Sequence, residues 1–381
     1  MSKRILIMPD SFKGCMTAVE ATDILANEAE KAGATVVRLP LADGGEGSAE
    51  CILRATGGLF RSVIVCGPAG TPIKASYGIT RDNTAVIEIA ESTGLTRQSE
   101  LHPFSANTYG FGELILDALD QGIRSFILCL GGSASTDCGL GMAAALGARF
   151  YDCNNEIIVP SGSSLISIDK IDTTNLDQRI SESKFTVICD VENPLFGPNG
   201  AAYVYGPQKG ASPDDVILLD NGLRHVAPEI TRVIGVNHTS VVGAGAAGGT
   251  GFGCAAFLNA TMKSGTETIL DINGFGIIPG REDSNENNKE SSSEGFDLII
   301  TGEGCLDEQS LMGKVLRGIL KRSNGIPVVS FCGTCKIDPS ELRKAGVTAV
   351  EIGRDVPIDD SVRNGKYYLK KAAEAFFFET K

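Results

Sequence analysis

Apolar and polar residues alternate along the first 66 residues in a pattern that predicts a parallel sheet. Three apolar runs have the length and composition of strands, namely RILIMP, TVVRLPL and RSVIVCGP. The segments between them predict helices, and in the first of these Thr17 and Glu20 have the spacing of a capping box. This β-α-β-α-β order implies a parallel sheet with helices on its faces, whose binding loops lie at the carboxyl ends of the strands.

Beyond Gly67 this pattern changes, and near the C-terminus it returns. The runs KASYGIT and TAVIEIA predict antiparallel strands, and two glycine-rich loops precede helices. Further strands are predicted at RSFILCL, KFTVICDV and AAYVYG. The polar segment REDSNENNKESSSEG predicts a solvated, mobile and protease-sensitive loop. After it, FDLIITGEG restarts the order of strand, loop and helix.

The length of 381 residues exceeds what one core usually supports, so we expect two domains. Because the first pattern returns near the C-terminus, the predicted fold class is α/β, with one parallel-sheet domain built from both chain ends. That domain comprises residues 1–66 and 294–381, and a large second α/β domain, residues 67–293, is inserted into it. We expect the ligand to bind in the cleft between the two domains.

The charge and composition restrict the possible partners. A net charge of −13 argues against nucleic acid and against an anionic membrane surface. No apolar run approaches the roughly 18 residues of a membrane helix, and the eleven cysteines lie among apolar neighbours, as expected for free thiols in the cytoplasm. An anionic ligand would therefore need local attraction from a few lysines, helix N-termini or bound cations.

Charged residues follow two strands of the N-terminal segment. Asp10, Ser11 and Lys13 come directly after the first strand, and the loop LADGGEGS places Asp43 and Glu46 beside glycines. In one interpretation, the loop N–H groups hold an anion while Asp43 or Glu46 faces Mg²⁺. In the other, the loop is a strained turn in which Asp43 caps a helix.

Two further stretches place acids and lysines at strand ends. In DLIITGEGCLDEQSLMGK, Glu303 and Asp307 suit a metal ion that carries phosphates, although acids at a helix start also stabilise the helix dipole. In CDVENPLFGPNGAAYVYGPQKG, Asp190 is a candidate general base or a turn cap. Asn193 is a candidate metal or substrate ligand there, and Lys209 is a candidate anchor for an anion.

Glycine is abundant, with 46 residues, and it clusters in two loops. The loop LGGSASTDCGLG either cradles a phosphate or allows a helix and a strand to pack closely. The uncharged loop GAGAAGGTGFG favours a phosphate or nucleotide contact. The Walker A pattern is absent, and the three histidines lack metal-binding spacing, so zinc sites and Ser-His-Asp triads have little support.

Taken together, these stretches resemble the class I glycerate kinases. The matching motifs occur in the family's order and are PDSFKG, ADGGEG, TYGFGELI, GGSASTD, CDVENPLFGPNGAAYVYGPQKGA, GAGAAGGTG and ITGEGCLDEQSLMGK. The resemblance implies ATP-dependent phosphorylation of D-glycerate with Mg²⁺ as cofactor, and the family points to the 2-position. It also implies a two-domain fold with a discontinuous Rossmann-like domain.

Within these motifs we assign four groups of site residues. The catalytic residues are Asp190, Lys13 and Lys209. The substrate-binding residues are Asp10, Ser11, Asp43, Gly44, Gly45 and Asn193. The nucleotide-binding residues are Gly131, Gly132, Ser133, Asp137, Gly243, Gly245, Gly248, Gly249 and Lys314, and the metal ligands are Glu303 and Asp307.

The sequence departs from the family pattern in a few places. Cys305 stands where the family usually has Arg, Ser135 stands where it commonly has Thr, and the loop at 281–295 is longer than usual. Two alternative functions therefore stay open, namely a kinase for another small hydroxy acid and a non-catalytic sensor of sugar acids. The acidic set argues against the sensor, because binding without phosphoryl transfer would not need it.

Overall fold

The computed structural model describes residues 2–275, 295–312, 315–354 and 356–378. Its strands are β1 Arg4–Ile7, β2 Thr35–Arg38, β3 Gly58–Cys66, β4 Pro72–Thr80, β5 Thr84–Glu88, β6 Ser125–Cys129, β7 Arg149–Tyr151, β8 Ile157–Ile158, β9 Lys170–Asp172, β10 Lys184–Ile188, β11 Thr261–Lys263, β12 Leu298–Leu306, β13 Val328–Cys335 and β14 Val347–Glu351. Its α-helices are α1 Ala18–Lys31, α2 Ser48–Thr56, α3 Ile89–Thr93, α4 Tyr109–Asp120, α5 Leu140–Ala145, α6 Ala201–Tyr205, α7 Pro213–Ile234, α8 Ala246–Leu258, α9 Gly265–Ile272, α10 Glu308–Met312, α11 Val315–Arg322, α12 Pro339–Lys344, α13 Ile358–Arg363 and α14 Gly365–Phe378. The predicted α/β class is confirmed.

A parallel sheet with strands from both ends of the chain forms the first core. Its order is β14-β13-β12-β1-β2, and β1 pairs with β12 in parallel, with Leu6 opposite Ile299. Helix α1 packs its buried Leu25 into this core, and it begins at the predicted capping box, in which Thr17 and Glu20 exchange hydrogen bonds. The carboxyl ends of β1 and β12 therefore lie side by side, and both carry candidate site residues.

A second sheet combines parallel and antiparallel strands in the order β11-β10-β6-β5-β4-β3. Strands β5, β6, β10 and β11 are parallel, whereas β3, β4 and β5 pair antiparallel. The sequence pattern predicts antiparallel pairing for β4 and β5, but it assigns β3 to the parallel sheet of the chain ends. Phe126 on β6 stacks on Phe185 of β10 with ring centroids 4.5 Å apart, in the core beneath α4. A small antiparallel sheet, β8-β7-β9, lies elsewhere in this part of the chain.

The chain divides into two compact units whose boundaries differ from the predicted ones. The first unit comprises Met1–Asp43, Glu50–Thr56 and Thr266–Lys381, and the second comprises Gly44–Ala49 and Gly57–Gly265. The predicted boundary at residue 66 is wrong, because β3 pairs with β4 along its whole length and so belongs to the second sheet. The C-terminal boundary also moves, since α9 belongs to the first unit from Thr266 onwards.

Of two other predictions, the strand at AAYVYG is wrong, and most of the loop at 281–295 lies outside the described residues. The segment AAYVYG forms helix α6 instead of a strand, and the N–H of Val204 donates to the carbonyl of Gly200 four residues earlier at 3.0 Å, as in a helical turn. Of the loop predicted at 281–295, residues 281–294 lie outside the described residues. In the part of the chain that the structure describes, no helix combines the length and apolar character that crossing a bilayer requires.

Candidate active site

The carboxyl end of β1 carries three of the predicted site residues in the first unit. Beyond β1 the chain continues along β12, and the N–H of Asp10 donates to the carbonyl of Gly302 at 2.8 Å. The Asp10 carboxylate accepts from the N–H of Ser11 at 2.6 Å. The Lys13 side chain is 81% exposed, and its Nζ lies 3.8 Å from Oδ2 of Asp43. Asp10, Lys13 and Asp43 are thus brought together in the first unit.

The carboxylates of Asp43 and Glu303 act electrostatically on that of Asp10. Burial, followed by the charge of Asp43, raises the pKa of Asp10 from 3.8 to about 7, and Glu303 adds to the rise. The Ser11 N–H and the Lys13 ammonium group oppose it without cancelling it. A proton or a cation bound here would relieve the repulsion between Asp10, Asp43 and Glu303.

The predicted metal ligands lie at the end of β12 and at the start of α10. The hydroxyl of Ser310 donates to Glu303 Oε2 at 2.8 Å, and the Ser310 N–H donates to Asp307 Oδ1 at 3.3 Å. Asp307 therefore also caps α10, which is the alternative that the sequence left open. Lys314, predicted to bind nucleotide, lies outside the described residues.

The oxygen donors of this region suit Mg²⁺ only in part. Among residues 2–275, 295–312, 315–354 and 356–378, no group of three or more His, Cys, Asp or Glu side chains could enclose a metal ion. Mg²⁺, however, commonly takes one or two carboxylates and completes its shell with water and substrate phosphates. The acidic residues Glu303 and Asp307 fit that partial role.

In the second unit, the glycines of the loop LADGGEGS pack against the protein itself. The N–H of Gly131 donates to the carbonyl of Gly44 at 3.1 Å. A Cβ on Gly44 would lie 2.7 Å from the carbonyl oxygen of Ile188, and a Cβ on Gly131 would lie 2.4 Å from Cα of Gly45. These glycines therefore allow close approach of the loop to the ends of β6 and β10.

Glu88, the last residue of β5, holds this loop through a contact that the sequence analysis missed. It is 8% exposed, and its carboxylate accepts from the N–H of Ala49 at 2.7 Å and of Gly47 at 3.2 Å. Burial raises its pKa to about 7. The signal in the sequence is an acid within the apolar run TAVIEIA, where a strand-end carboxylate must find a partner.

The loop after β6 is organised by Asp137. Its buried carboxylate accepts from the N–H and the hydroxyl of Thr108 at 2.7 and 2.8 Å, and from the N–H groups of Gly139 and Gly141 at 3.2 and 3.1 Å. Burial nevertheless raises the pKa of Asp137 above its usual value. Asp137 is 0% exposed, so its role in this structure is to hold the loop and not to face a nucleotide.

Lys209 is buried against the same loop. Its Nζ donates to the carbonyl oxygen of Ser135, and the residue is 3% exposed. Burial lowers its pKa from 10.5 to about 7, a shift that the nearby Asp137 charge partly opposes. The structure therefore places Lys209 inside the protein, where it supports Ser135, and not at the surface as an anchor for an anion.

Within this loop, Gly132 lies close to Glu46, and Ser133 is hydrogen-bonded within the loop. Gly132 has φ +77°, and its would-be Cβ lies 3.7 Å from Cγ of Glu46. The hydroxyl of Ser133 is 2.9 Å from that of Ser135 and accepts from the Ser135 N–H at 3.1 Å. The loop is thus held by its own side chains, as a preformed binding loop needs to be.

Asp190 follows β10 and holds a neighbouring turn. Its Oδ1 accepts from the Ser264 hydroxyl at 2.7 Å and from the Gly265 N–H at 2.9 Å. These contacts correspond to the turn-capping alternative that the sequence left open.

Asn193 also makes contacts within the protein. Its Nδ2 donates to the carbonyl of Asn199 at 2.9 Å, and its Oδ1 accepts from the hydroxyl of Tyr205 at 2.6 Å. Both ends of the amide are therefore engaged before any substrate binds, so Asn193 fixes the loop that follows β10.

The second glycine-rich loop approaches protein backbone closely at the start of α8. A Cβ on Gly245 would lie 2.3 Å from the carbonyl oxygen of Pro194, and a Cβ on Gly248 would lie 2.1 Å from that of Ser135. Gly243 and Gly249 are likewise in contact and have positive φ, +83° and +90°. The close approach that the sequence predicts is real, but its observed partner is the protein.

Known proteins with similar sequences and structures agree with the motifs. A model of the glycerate kinase family matches residues 5–380. Glycerate kinase of Bacillus subtilis (strain 168) is 37% identical over 379 residues, covering 97% of this chain and 96% of the relative. Glycerate 2-kinase of Escherichia coli (strain K12) is 39% identical over 354 residues, covering 91% of this chain and 89% of the relative.

A solved structure shows the same similarity in three dimensions. The crystal structure of a Salmonella typhimurium LT2 protein, named provisionally as glycerate kinase 2, superposes with a TM-score of 0.79 at 34% identity. The match covers 100% of this chain and 98% of that one. With the family model spanning residues 5–380, the chain belongs to the glycerate kinase family.

Proposed function

We propose that this chain transfers the γ-phosphoryl group of ATP to the 2-hydroxyl of D-glycerate. The observation that carries the proposal is that Asp43 and Glu303 both act on the Asp10 carboxyl group in the first unit, with the exposed ammonium group of Lys13 3.8 Å from Asp43. Phosphoryl transfer depends mainly on positioning and charge neutralisation, and this set supplies both signs of charge. The acceptor comes from the family, and the 2-position comes from the name of the E. coli relative.

Asp10 is the side chain that we propose as general base. A base works best when its pKa lies near the working pH, and burial together with Asp43 raises the pKa of Asp10 to about 7. It would take the proton of the glycerate hydroxyl as that oxygen attacks the γ-phosphorus and ADP leaves. Asp190 is the second candidate, with Oδ1 already engaged by Ser264 and Gly265.

We assign the remaining tasks to Lys13 and to the acids Glu303 and Asp307. The Lys13 ammonium group would bind the glycerate carboxylate or the transferred phosphoryl group by a charge-assisted hydrogen bond, and Ser11 would bind beside it. Glu303 and Asp307 would hold Mg²⁺ through oxygen atoms, and the ion would neutralise phosphate charge. We assign the nucleotide to the loop at Gly132 and Ser133, with Asp137 and Lys209 holding that loop.

An assay of ADP release over a panel of small hydroxy acids tests this function. We expect turnover with D-glycerate to exceed turnover with every other acid, and ³¹P NMR should identify 2-phosphoglycerate as the product. Higher turnover with another acid would assign the chain to a different hydroxy acid, and a 3-phosphorylated product would overturn the 2-position. Binding of D-glycerate without ADP release would favour the non-catalytic sensor.

A further inference from the structure

The loop at residues 44–49 depends on a carboxylate that is distant in sequence. Helix α2 begins after Gly47, which has φ +87° and supplies no side-chain cap. Glu88 fills that role from the end of β5, accepting from the N–H of Ala49 at 2.7 Å and of Gly47 at 3.2 Å. Among the helices with a described N-cap, α1 and α7 begin instead with local capping boxes.

The same loop supports a second candidate binding loop in this unit. The carbonyl of Gly44 accepts from the N–H of Gly131, and Gly45 lies where a Cβ on Gly131 would be 2.4 Å away. A displacement of residues 44–49 would therefore move the contacts of Gly131 as well. Because these interfaces are backbone against backbone, a small shift cannot be absorbed by side-chain rotation.

We propose that Glu88 is a positioning residue that holds Gly44 and Gly45 in the conformation that binds glycerate, and through them the loop at Gly131. The inference rests on the proposed function, which assigns Gly44 and Gly45 to the substrate. Loss of the carboxylate would weaken substrate binding more than it slows the chemical step, because Glu88 touches loop N–H groups and not reacting atoms.

Glu88 also lines a cavity together with other charged residues, and its own charge depends on pH. The cavity measures about 310 Å³, and its other charged walls are Glu46, Glu91 and Arg97. Arg97 is paired with Glu91 at 2.9 Å, whereas Glu46 and Glu91 both raise the pKa of Glu88, which burial brings to about 7. Glu88 is therefore a charged acceptor above pH 7 and a neutral, weaker one below it.

The test compares the wild type with Glu88→Gln as a function of pH. At pH 8.5 we expect the variant to raise the KM for D-glycerate about tenfold, with kcat changed less than threefold, since it loses charge-assisted bonds. Near pH 5.5 the two proteins should differ less than twofold, because wild-type Glu88 is then neutral. Groups common to both proteins, Asp10 included, cancel in this ratio.

Glu113→Gln is the matched control. Its carboxylate also accepts from a distant backbone N–H, that of Cys66 at 2.6 Å, but neither residue belongs to the loop or to the assigned site residues. We expect its KM to stay within twofold of the wild type. Equal KM values for Glu88→Gln and the wild type at pH 8.5, or an effect independent of pH, would overturn the inference.

Hydrogen exchange separates this inference from the proposed function. In Glu88→Gln the amides of residues 44–49 should exchange at least about tenfold faster than in the wild type at pH 8.5, and in Glu113→Gln they should not. If the wild type fails to phosphorylate glycerate, the proposed function fails while the exchange result still tests the positioning. Unchanged exchange in Glu88→Gln would overturn the inference even in an active enzyme.

Discussion

At the scale of single residues, Lys13 stands out in an acidic chain whose proposed substrates are anions. Its ammonium group is exposed and lies 3.8 Å from Asp43, so it can contact a substrate oxygen without leaving its place. A charge-assisted hydrogen bond of this kind contributes roughly 1.5–3 kcal/mol. We predict that Lys13→Ala lowers kcat/KM for glycerate at least about tenfold, since ~1.4 kcal/mol is a factor of ten.

The control for Lys13→Ala is Lys366→Ala in the same unit. Lys366 is also exposed and also pairs with a carboxylate, that of Glu20 in α1, but neither residue is among the assigned site residues. Steady-state kinetics should show kcat/KM within twofold of the wild type for Lys366→Ala. A similar loss in both variants would mean that Lys13 acts only through general stability or net charge.

The choice of base makes a second prediction at this scale. If Asp10 is the base, kcat should rise with pH through about 7, where its carboxyl group ionises, and Asp10→Asn should lower kcat about 10²-fold or more. Asp190→Asn keeps an oxygen that can accept from Ser264 and Gly265, so kcat should fall less than about tenfold. The opposite order of effects would return the role of base to Asp190.

Stability gives an independent check on Asp10. Its pKa is raised in the folded state, so its contribution to stability is complete below pH 3.8 and is lost as pH rises through about 7. Asp10→Asn removes the buried charge, and urea unfolding at pH 8 should therefore show a variant more stable than the wild type by at least about 1 kcal/mol. A less stable variant at pH 8 would contradict the assigned electrostatics.

At the scale of elements, the glycine-rich loops show what sequence can and cannot predict. The uncharged run GAGAAGGTGFG correctly predicts a close backbone approach, because glycine is costly unless something must come near. It does not reveal the partner, which is Ser135 for Gly248 and Pro194 for Gly245. The sequence shows that these positions need glycine, whereas the atoms that approach them are determined by packing between residues distant in the chain.

The close contact of Gly248 can be tested by measuring the free energy of unfolding of a Gly248→Ala variant. In Gly248→Ala the new Cβ would combine φ +67° with a distance of 2.1 Å from the Ser135 carbonyl oxygen. Gly235→Ala, at the C-cap of α7, has φ +81° with no atom within 4 Å and reports the cost of φ alone, about 1–2 kcal/mol. We predict that urea unfolding shows Gly248→Ala less stable than Gly235→Ala by at least about 2 kcal/mol.

Strand β3 shows a different limit of sequence analysis. Its apolar run was correctly predicted as a strand, but a period-two pattern does not say which sheet a strand joins. The structure pairs it antiparallel with β4 from Gly58 opposite Thr80 to Cys66 opposite Pro72, through the turn at 67–71. In contrast, β1 and β12 bear candidate residues at their ends, and these positions were predictable from the strand–loop–helix order.

At the scale of the whole molecule, the sequence predicts the family and the fold class, but it predicts few of the contacts that individual candidate residues make. Motif order was enough to indicate the glycerate kinase family and the α/β fold. It did not show that Asp137 and Lys209 are buried or that Glu88 caps α2, because burial and distant hydrogen bonds depend on the packed structure. Among the assigned residues, Asp190, Asn193, Asp137 and Lys209 therefore have observed structural contacts that compete with their assigned roles.

The net charge of −13 makes a last prediction about substrate binding. Repulsion between the chain and an anion acts over long distances, and it is screened when the Debye length falls from about 30 Å at 0.01 M salt to about 8 Å at 0.15 M. The contact that we propose between Lys13 and glycerate is shorter than either length, so salt weakens it less. The dissociation constant of D-glycerate, measured by calorimetry, should therefore fall about two- to threefold over this range. Lys13→Ala should bind more weakly at both salt concentrations but show the same fall, because the global charge hardly changes. A dissociation constant that instead rises with salt in the wild type, and is flat in Lys13→Ala, would mean that local attraction by this one lysine outweighs the charge of the whole chain.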